Sequence, residues 1–224
     1  MESEAAIEQW IKEGKSDKMI RFERMKIEDR ETCAALAARA FGDYEYFTDY
    51  VPDEKKRRRF LNTMLQIEVK INDGPALFFT AKDGNAIVAV AMLCPPTYKK
   101  PSDMAYMKAG FGKCFLQGGM KDVAAWNDME GKAGRPCHRL AGKVWYLNLL
   151  TVEPNRKGQG IGTRMLRECL LPYVKEHGGD SLCLFTNSEE NRKFYRKNGF
   201  IEFNEQWFAY RGKVLGSWSY QYIF

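Results

Sequence analysis

The sequence predicts an α/β protein built on one mixed sheet of about seven strands flanked by helices. Three observations carry this. Short apolar runs of strand length alternate with segments whose apolar residues recur at helical spacing. The stretch "ALFFTAKDGNAIVAVAMLC" (76–94) spells a hairpin, because Asp83-Gly84-Asn85 tolerates positive φ between two apolar runs. The stretch "KVWYLNLLTVEP" (143–154) is apolar almost throughout, as a central strand buried on both faces requires. With 224 residues, 45% of them apolar and 29% charged, the chain is globular and long enough for a real core.

The elements follow in the order β-α-α-β-β, an insertion, then β-α-β-α-β-β. Residues 1–18 read as an N-terminal extension with a short helix over 4–14, and residues 19–224 as a single domain. "MIRFERM" (19–25) is the first strand. "IEDRETCAALAARAF" starts with capping material and then places Cys33, Leu36, Ala37, Ala40 and Phe41 at helical spacing. "GDYEYFTDYVP" (42–52) is a loop dense in tyrosine and carboxylates. "DEKKRRRFLNTMLQIEVKI" is the second helix, with Phe60, Leu61, Met64 and Leu65 inward and the basic run Lys55-Lys56-Arg57-Arg58-Arg59 on a solvated face. Pro95-Pro96 opens a helical insertion over about 95–142, between the third and fourth strands, with a Gly-rich tail. "GIGTRMLRECLLPYVKEH" carries Met165, Leu166, Cys169, Leu170, Tyr173 and Val174 on one stripe. "SLCLFTN" is a buried strand. "SEENRKFYRKNGF" is a short helix capped by Gly199. "FIEFNEQWFAY" and "VLGSWSYQYIF" close the chain as two strands joined at Arg211-Gly212-Lys213.

Composition narrows the function classes. A net charge of +6 suits an anionic ligand but is too diffuse to argue for nucleic acid. The six cysteines include no Cys-x-x-Cys pair and only two histidines accompany them, so no metal site is expected. Several cysteines fall on apolar faces, which fits thiols in a reducing, cytoplasmic setting. The start of the sequence is acidic and has no long apolar run, so neither a secretory signal nor a membrane span is expected.

The chemistry concentrates in "VEPNRKGQGIGTRML" (152–166). Gly158, Gly160 and Gly162 stand at alternate positions between a strand and a helix. Such glycines let backbone N–H groups converge on an anion, and the helix N-terminus adds partial positive charge. A nucleoside-triphosphate loop needs Lys-Ser/Thr after the last glycine, but Thr163-Arg164 follow. A dinucleotide fingerprint fails as well. Its third glycine would fall at Thr163 or Met165, and the next strand ends in Phe185-Thr186-Asn187 without an acid.

The pattern Val-x-Pro-x-x-[Arg/Lys]-Gly-x-Gly-x-Gly resembles motif A of the GNAT acetyltransferase superfamily. "NRKFYRKNGF" (191–200) resembles that superfamily's Asn-x-x-x-Tyr-x-x-x-Gly-Phe segment. The order of strands and aromatic segments is most similar to the puromycin N-acetyltransferase-like branch, over most of residues 19–224. The resemblance implies the GNAT acyl-CoA N-acyltransferase fold and transfer of an acetyl group from acetyl-CoA, a cosubstrate, directly to an amine. It implies that Lys157, Gly158, Gln159, Gly160, Ile161, Gly162 and Thr163 seat the pyrophosphate. The pantetheine would lie along Leu150, Thr151 and Val152, on a strand splayed from its neighbour, and would reach Asn187 and Asn191. A backbone N–H near Leu149 or Leu150 would stabilise the oxyanion, and Tyr195 would protonate the departing thiolate. Two departures stand out. Lys157 occupies a position that is usually Gln or Arg, and Phe185 follows Leu184 where the branch often has glutamate.

The general base stays open among Asp43, Glu45, Asp49, His138 and the terminal carboxylate of Phe224. Tyr44, Tyr46 and Tyr50 are either acceptor-site walls or lid packing. The expected acceptor is a small-molecule amine, antibiotic-like or metabolic, with a protein or peptide amine as the alternative within the same chemistry. A non-catalytic acyl-CoA-binding module is the alternative of another class. A monomer or homodimer is expected, with neither nucleic acid nor membrane as partner.

Overall fold

A computed structural model describes residues 20–224. The helix expected over 4–14 lies outside the described residues. Seven strands form one sheet: β1 (Arg21–Arg24), β2 (Leu77–Asp83), β3 (Ala86–Cys94), β4 (Val144–Val152), β5 (Ser181–Thr186), β6 (Ile201–Tyr210) and β7 (Lys213–Ile223). They lie in the order β1-β2-β3-β4-β5-β7-β6. Only β4 and β5 are parallel neighbours, joined through a helical crossover; every other pair is antiparallel.

Helices cover both faces. On one face lie α1 (Arg30–Ala40), the single turn α2 (Glu45–Thr48), α3 (Glu54–Asn72), and then α4 (Asp103–Lys108), α5 (Gly112–Gly118) and α6 (Met120–His138). On the other lie α7, over 161–176, and α8 (Glu189–Lys197). The strongest caps are those the sequence offers. Asp53 accepts from Lys56 N–H at 2.8 Å at the start of α3, and Ser188 accepts from Asn191 N–H at 3.2 Å at the start of α8.

Helix α7 is not uniform. Its turns at Ile161–Arg164 and Leu171–Glu176 flank a π-helical segment at Met165–Leu170. Leu171 N–H bonds to Leu166 O, five residues back. Pro172 explains this: it has no N–H and its ring would press on the carbonyl four residues back. Widening the helix just before it relieves both problems.

The segment between β3 and β4 packs as core rather than as decoration. The expected Gly-rich tail is the second half of the 19-residue helix α6. That helix crosses β5, β7 and β6 and buries Val123, Trp126, Met129, Ala133 and Cys137. Trp126 meets the rings of Tyr46, Phe47 and Phe60 at centroid distances of 5.8, 5.6 and 5.4 Å. The basic run at the start of α3 also differs from expectation at one residue. Arg57 is buried and donates to the carbonyls of Gly42, Val51 and Pro52 at 2.6, 2.9 and 3.0 Å. It thereby pins both ends of the aromatic loop 42–52.

Trp126→Ala is expected to destabilise the protein by about 3–5 kcal/mol, the usual result of deleting a buried aromatic. Urea denaturation measures this. A change near zero would mean that α6 is peripheral.

Candidate active site

The site begins where β4 and β5 part. Their pairing consists of Val144↔Ser181, Trp145↔Leu182 and Tyr146↔Cys183, and it stops there. Beyond Tyr146, strand β4 keeps its antiparallel partner β3 on one side while its β5-facing edge runs free to Val152. The register with β3 slips between Met92 and Leu93, leaving Asn148 as an extra residue in β4. Such a bulge bends and twists a strand, and here it coincides with the fork. It also exchanges the faces of β4: Trp145 and Leu147 pack toward α7, whereas Leu149 packs toward the α1–α6 face.

The glycine loop stands at the open end of β4. Gly158 and Gly160 have φ of +79° and +76°, a region L residues avoid, and no atom lies within 4 Å of where a Cβ would sit. The first helical rung is Arg164 N–H to Gly160 O at 2.9 Å, so the amides of Ile161, Gly162 and Thr163 precede the helical ladder. Gly162 has a different task. A Cβ there would stand 3.3 Å from Phe194 Cζ, so the missing side chain lets α8 close onto α7. Loop side chains are partly committed. Arg156 bridges Asp83 at 2.7 Å and Gln159 Oε1 at 2.8 Å, fixing the loop to the β2–β3 hairpin. Thr163 Oγ1 accepts from Asn198 at 3.4 Å, and Ile161 is buried in the core. Lys157 is exposed at the rim.

Helix α8 brings Tyr195 to the fork. Its ring packs against Phe194, Phe200 and Tyr220 and is 8% exposed. Burial, followed by the neighbouring Tyr44, pushes the phenol well above its ordinary pKa, so it stays protonated across the neutral range. Tyr44 was expected as an acceptor-site wall or as lid packing. It instead reaches across the fork: its hydroxyl contacts Thr186 Oγ1 at 3.1 Å and accepts from Asn187 N–H at 2.8 Å. The Asn191 side chain also bears on that hydroxyl. Tyr44, Asn187, Asn191 and Tyr195 therefore form one cluster at the end of β5. Two buried polar atoms beside the open strands have no partner, Thr151 Oγ1 on β4 and Asn187 Oδ1 after β5. The Asn187 amide nitrogen is occupied, donating to Gly216 O at 2.8 Å. Leu150 and Val152 pack on the α7 side.

The other face of the fork is acidic and aromatic. Glu68, from α3, accepts from Tyr106 Oη at 2.8 Å and from Asn148 Nδ2 at 3.3 Å, directly over the bulge. Burial pushes its carboxyl above the usual range. Sequence reading missed it, because its segment reads as an ordinary amphipathic helix; its position opposite Asn148 is a tertiary fact. Glu130 pairs with Lys100 at 3.3 Å nearby. The earlier base candidates scatter. Asp49 pairs with Lys213 at 2.7 Å, and Asp43 and Glu45 are exposed. His138 lies tilted against Tyr146, ring centroids 4.9 Å apart, and is shifted down by burial. Phe224 N–H bonds to Asp180 O, at the closed end of the fork, so its carboxylate does not reach the cleft. Tyr46 and Tyr50 are packing residues: Tyr46 lies against Trp126 and Phe185, and Tyr50 stacks on Tyr210. Among the described residues no group of His, Cys, Asp and Glu side chains could hold a metal ion.

A family model described as "Acetyltransferase (GNAT) domain" matches residues 121–202, from α6 to the start of β6. No curated protein matches the sequence. Solved structures do match by fold. An acetyltransferase from Corynebacterium glutamicum, described as histone acetyltransferase HPA2 and related acetyltransferase, superposes with a TM-score of 0.60. Its identity is 15%, over 89% of this chain and 94% of that one. An agmatine N-acetyltransferase gives a TM-score of 0.59 at 15% identity, over 92% and 99%. The PaiA N-acetyltransferase from Thermoplasma acidophilum, in complex with coenzyme A, gives 0.51 at 14%, over 88% and 97%. The chain has the GNAT acetyltransferase fold.

Tyr44→Phe would leave the buried Asn187 N–H without its acceptor. A loss of about 1–3 kcal/mol is expected, the penalty for an orphaned buried donor, and thermal denaturation measures it.

Proposed function

We propose that this protein is an acetyltransferase that moves an acetyl group from acetyl-CoA to the amine of a small molecule. The observation that carries this reading is the fork itself. It combines a free edge of β4, a positive-φ glycine loop at its open end, and a protonated tyrosine facing it. The residues present fit coenzyme A. Open space above Gly158 and Gly160 leaves room for a pyrophosphate, and Thr151 Oγ1 and Asn187 Oδ1 await partners along the arm.

Acetyl-CoA supplies the acetyl group as an activated thioester. The chain's own residues do the rest. The free β4 edge, from Leu147 to Val152, can pair with an extended amide-bearing arm as a strand would. Amides at Leu149 or Leu150 can donate to a carbonyl oxygen as charge develops there. Lys157 adds charge at the rim of the loop, as a point charge rather than a planar fork. Tyr195, kept protonated by burial, would donate its proton to the departing thiolate.

An alkyl ammonium must lose a proton before it can attack. We assign that proton to Glu68, which lies on the opposite face at the bulge, bonded to Asn148, and whose proton affinity is raised by burial. Its carboxylate would also attract the incoming cation. A small acceptor is favoured over a peptide because α4–α6 pack across the acceptor face, and the resemblance to the puromycin N-acetyltransferase-like branch points the same way.

Release of free thiol from acetyl-CoA against a panel of amines tests the reading. Tyr195→Phe is expected to lower kcat by about 10²–10⁴, the usual contribution of a positioned acid. If coenzyme A binds and no amine yields thiol, the protein is a binding module. If coenzyme A does not bind, the reading is wrong.

Glu68→Gln is expected to lower kcat/KM by a similar factor, about 10²–10⁴. In wild type, activity should rise as pH rises through the Glu68 pKa, because the protonated acid cannot accept a proton; the variant should lose that limb. The stability sign is opposite. A carboxyl whose folded pKa is raised favours the fold at low pH and loses that contribution as pH rises. Glu68→Gln should therefore melt no lower than wild type above neutral pH, which separates a lost base from a damaged fold.

A further inference from the structure

Away from the fork, a cavity of about 540 Å³ lies between α6 and the outer strands, lined by Lys132, Arg135, Pro136, Arg139, Asn204, Gln206 and Phe208. Lys132, Arg135 and Arg139 are spaced i, i+3 and i+7, so they share one stripe of the helix. Facing them, β6 presents two amides and a phenylalanine, and no carboxylate lines the space. Lys132 pairs with Asp128 on its own helix at 2.6 Å, while Arg135 and Arg139 form no ion pair among the described residues.

The floor is polar and unpaired. Asn204 Oδ1 and Gln206 Nε2 are buried without a partner. In the sheet register Asn204 stands opposite Ser219, and Gln206 opposite Ser217. Both serines are fully buried, and both hydroxyls also lack a partner. Four unsatisfied side chains thus form a two-by-two block under the cationic stripe. Cations in the last turns of a helix are favourable on their own account, through the helix dipole. That explains the arginines. It does not explain four buried polar groups left unpaired, each of which carries a desolvation penalty.

We propose that this cavity is a second ligand site, taking a small oxyanionic molecule whose phosphate or carboxylate meets Arg135, Arg139 and the Gln206 amide. Two guanidinium forks and the Gln206 amide nitrogen are donors lining the cavity, which is the set an oxyanion with several lone pairs satisfies. Asn204 Oδ1 takes a donor from the same molecule. The volume falls within the range of small-molecule sites, about 300–1,000 Å³. The site is distinct from the acetyl-transfer cleft. Gly134 of α6 sits against Phe185 on β5, and the cavity floor lies two strand spacings further out, about 10 Å.

Isothermal titration of inorganic phosphate, and in a separate arm of citrate, tests this on the full chain. Saturable binding of at least one anion to wild type is expected, and the arm that binds tells phosphate from carboxylate chemistry. Arg135→Ala/Arg139→Ala should weaken it by about tenfold or more, the effect of losing a charge-assisted hydrogen bond. Gln206→Leu should weaken it too while leaving the surface charge intact, so a general electrostatic effect would not reproduce the loss. That variant should melt no lower than wild type, since it removes an unpaired buried amide. Gly160→Val, which alters the glycine loop, should leave this binding unchanged. No binding by wild type, wild-type binding by Gln206→Leu, or loss on Gly160→Val would each overturn the proposal.

Discussion

Every backbone N–H and C=O in a sheet interior needs a partner, and at the β4–β5 seam that requirement is suspended after three residue pairs. Two central strands that stop pairing leave a row of donors and acceptors in the middle of the protein. The rest of the molecule is arranged around this gap. The bulge at Asn148 turns β4 away from β5. Phe185, wedged against Tyr46 and Gly134, fills the fork on one face. The start of α7 and the helix α8 close on the other, drawn together because Gly162 carries no side chain against Phe194. A gap maintained by so many separate contacts is a built feature of the sheet, and on the proposed reading an extended, amide-bearing ligand completes it.

The two faces of the fork communicate through loop 42–52. Arg57 ties that loop to α3 with three carbonyl bonds, which is how a buried guanidinium without a close carboxylate is satisfied; the nearest, Asp43, is 3.9 Å away. From this anchored base Tyr44 reaches through to Thr186 and Asn187. One hydroxyl thus joins loop 42–52 to the end of β5 and to Asn191. A displacement of loop 42–52 would be felt directly at Thr186, Asn187 and Asn191, with no need for a longer path.

Much of this was legible in the sequence, for identifiable reasons. Strands buried on both faces write continuous apolar runs, and β3, β4 and β5 were read where they lie. The loop glycines were legible because two of them need positive φ, although Gly162 proved to serve helix packing instead. Helix α6 was obscured by Gly131, Gly134 and Pro136, residues that ordinarily interrupt helices; here Pro136 falls in the last turn, and Gly134 sits close to Phe185. Tyr44 and Glu68 were illegible in their roles. Their partners are 142 and 80 positions away, and no periodicity encodes contacts of that range.

On the proposed reading, the same physical agent sets both proton-handling groups. Burial raises Tyr195, and burial raises Glu68, from opposite sides of one sheet. For an acid, a raised pKa keeps the proton available; for a base, it strengthens proton affinity. The two shifts are useful together only because the groups start far apart, one a phenol and one a carboxyl. The working window then opens at the Glu68 pKa and closes at that of Tyr195. Swapping the two residue types would reverse the order of their acidities, setting the stronger acid where the proton must be kept and the weaker one where it must be accepted. The fork therefore constrains side-chain chemistry as well as backbone geometry: a phenol on the α8 face, a carboxyl over the bulge, and a sheet between them that keeps their environments separate.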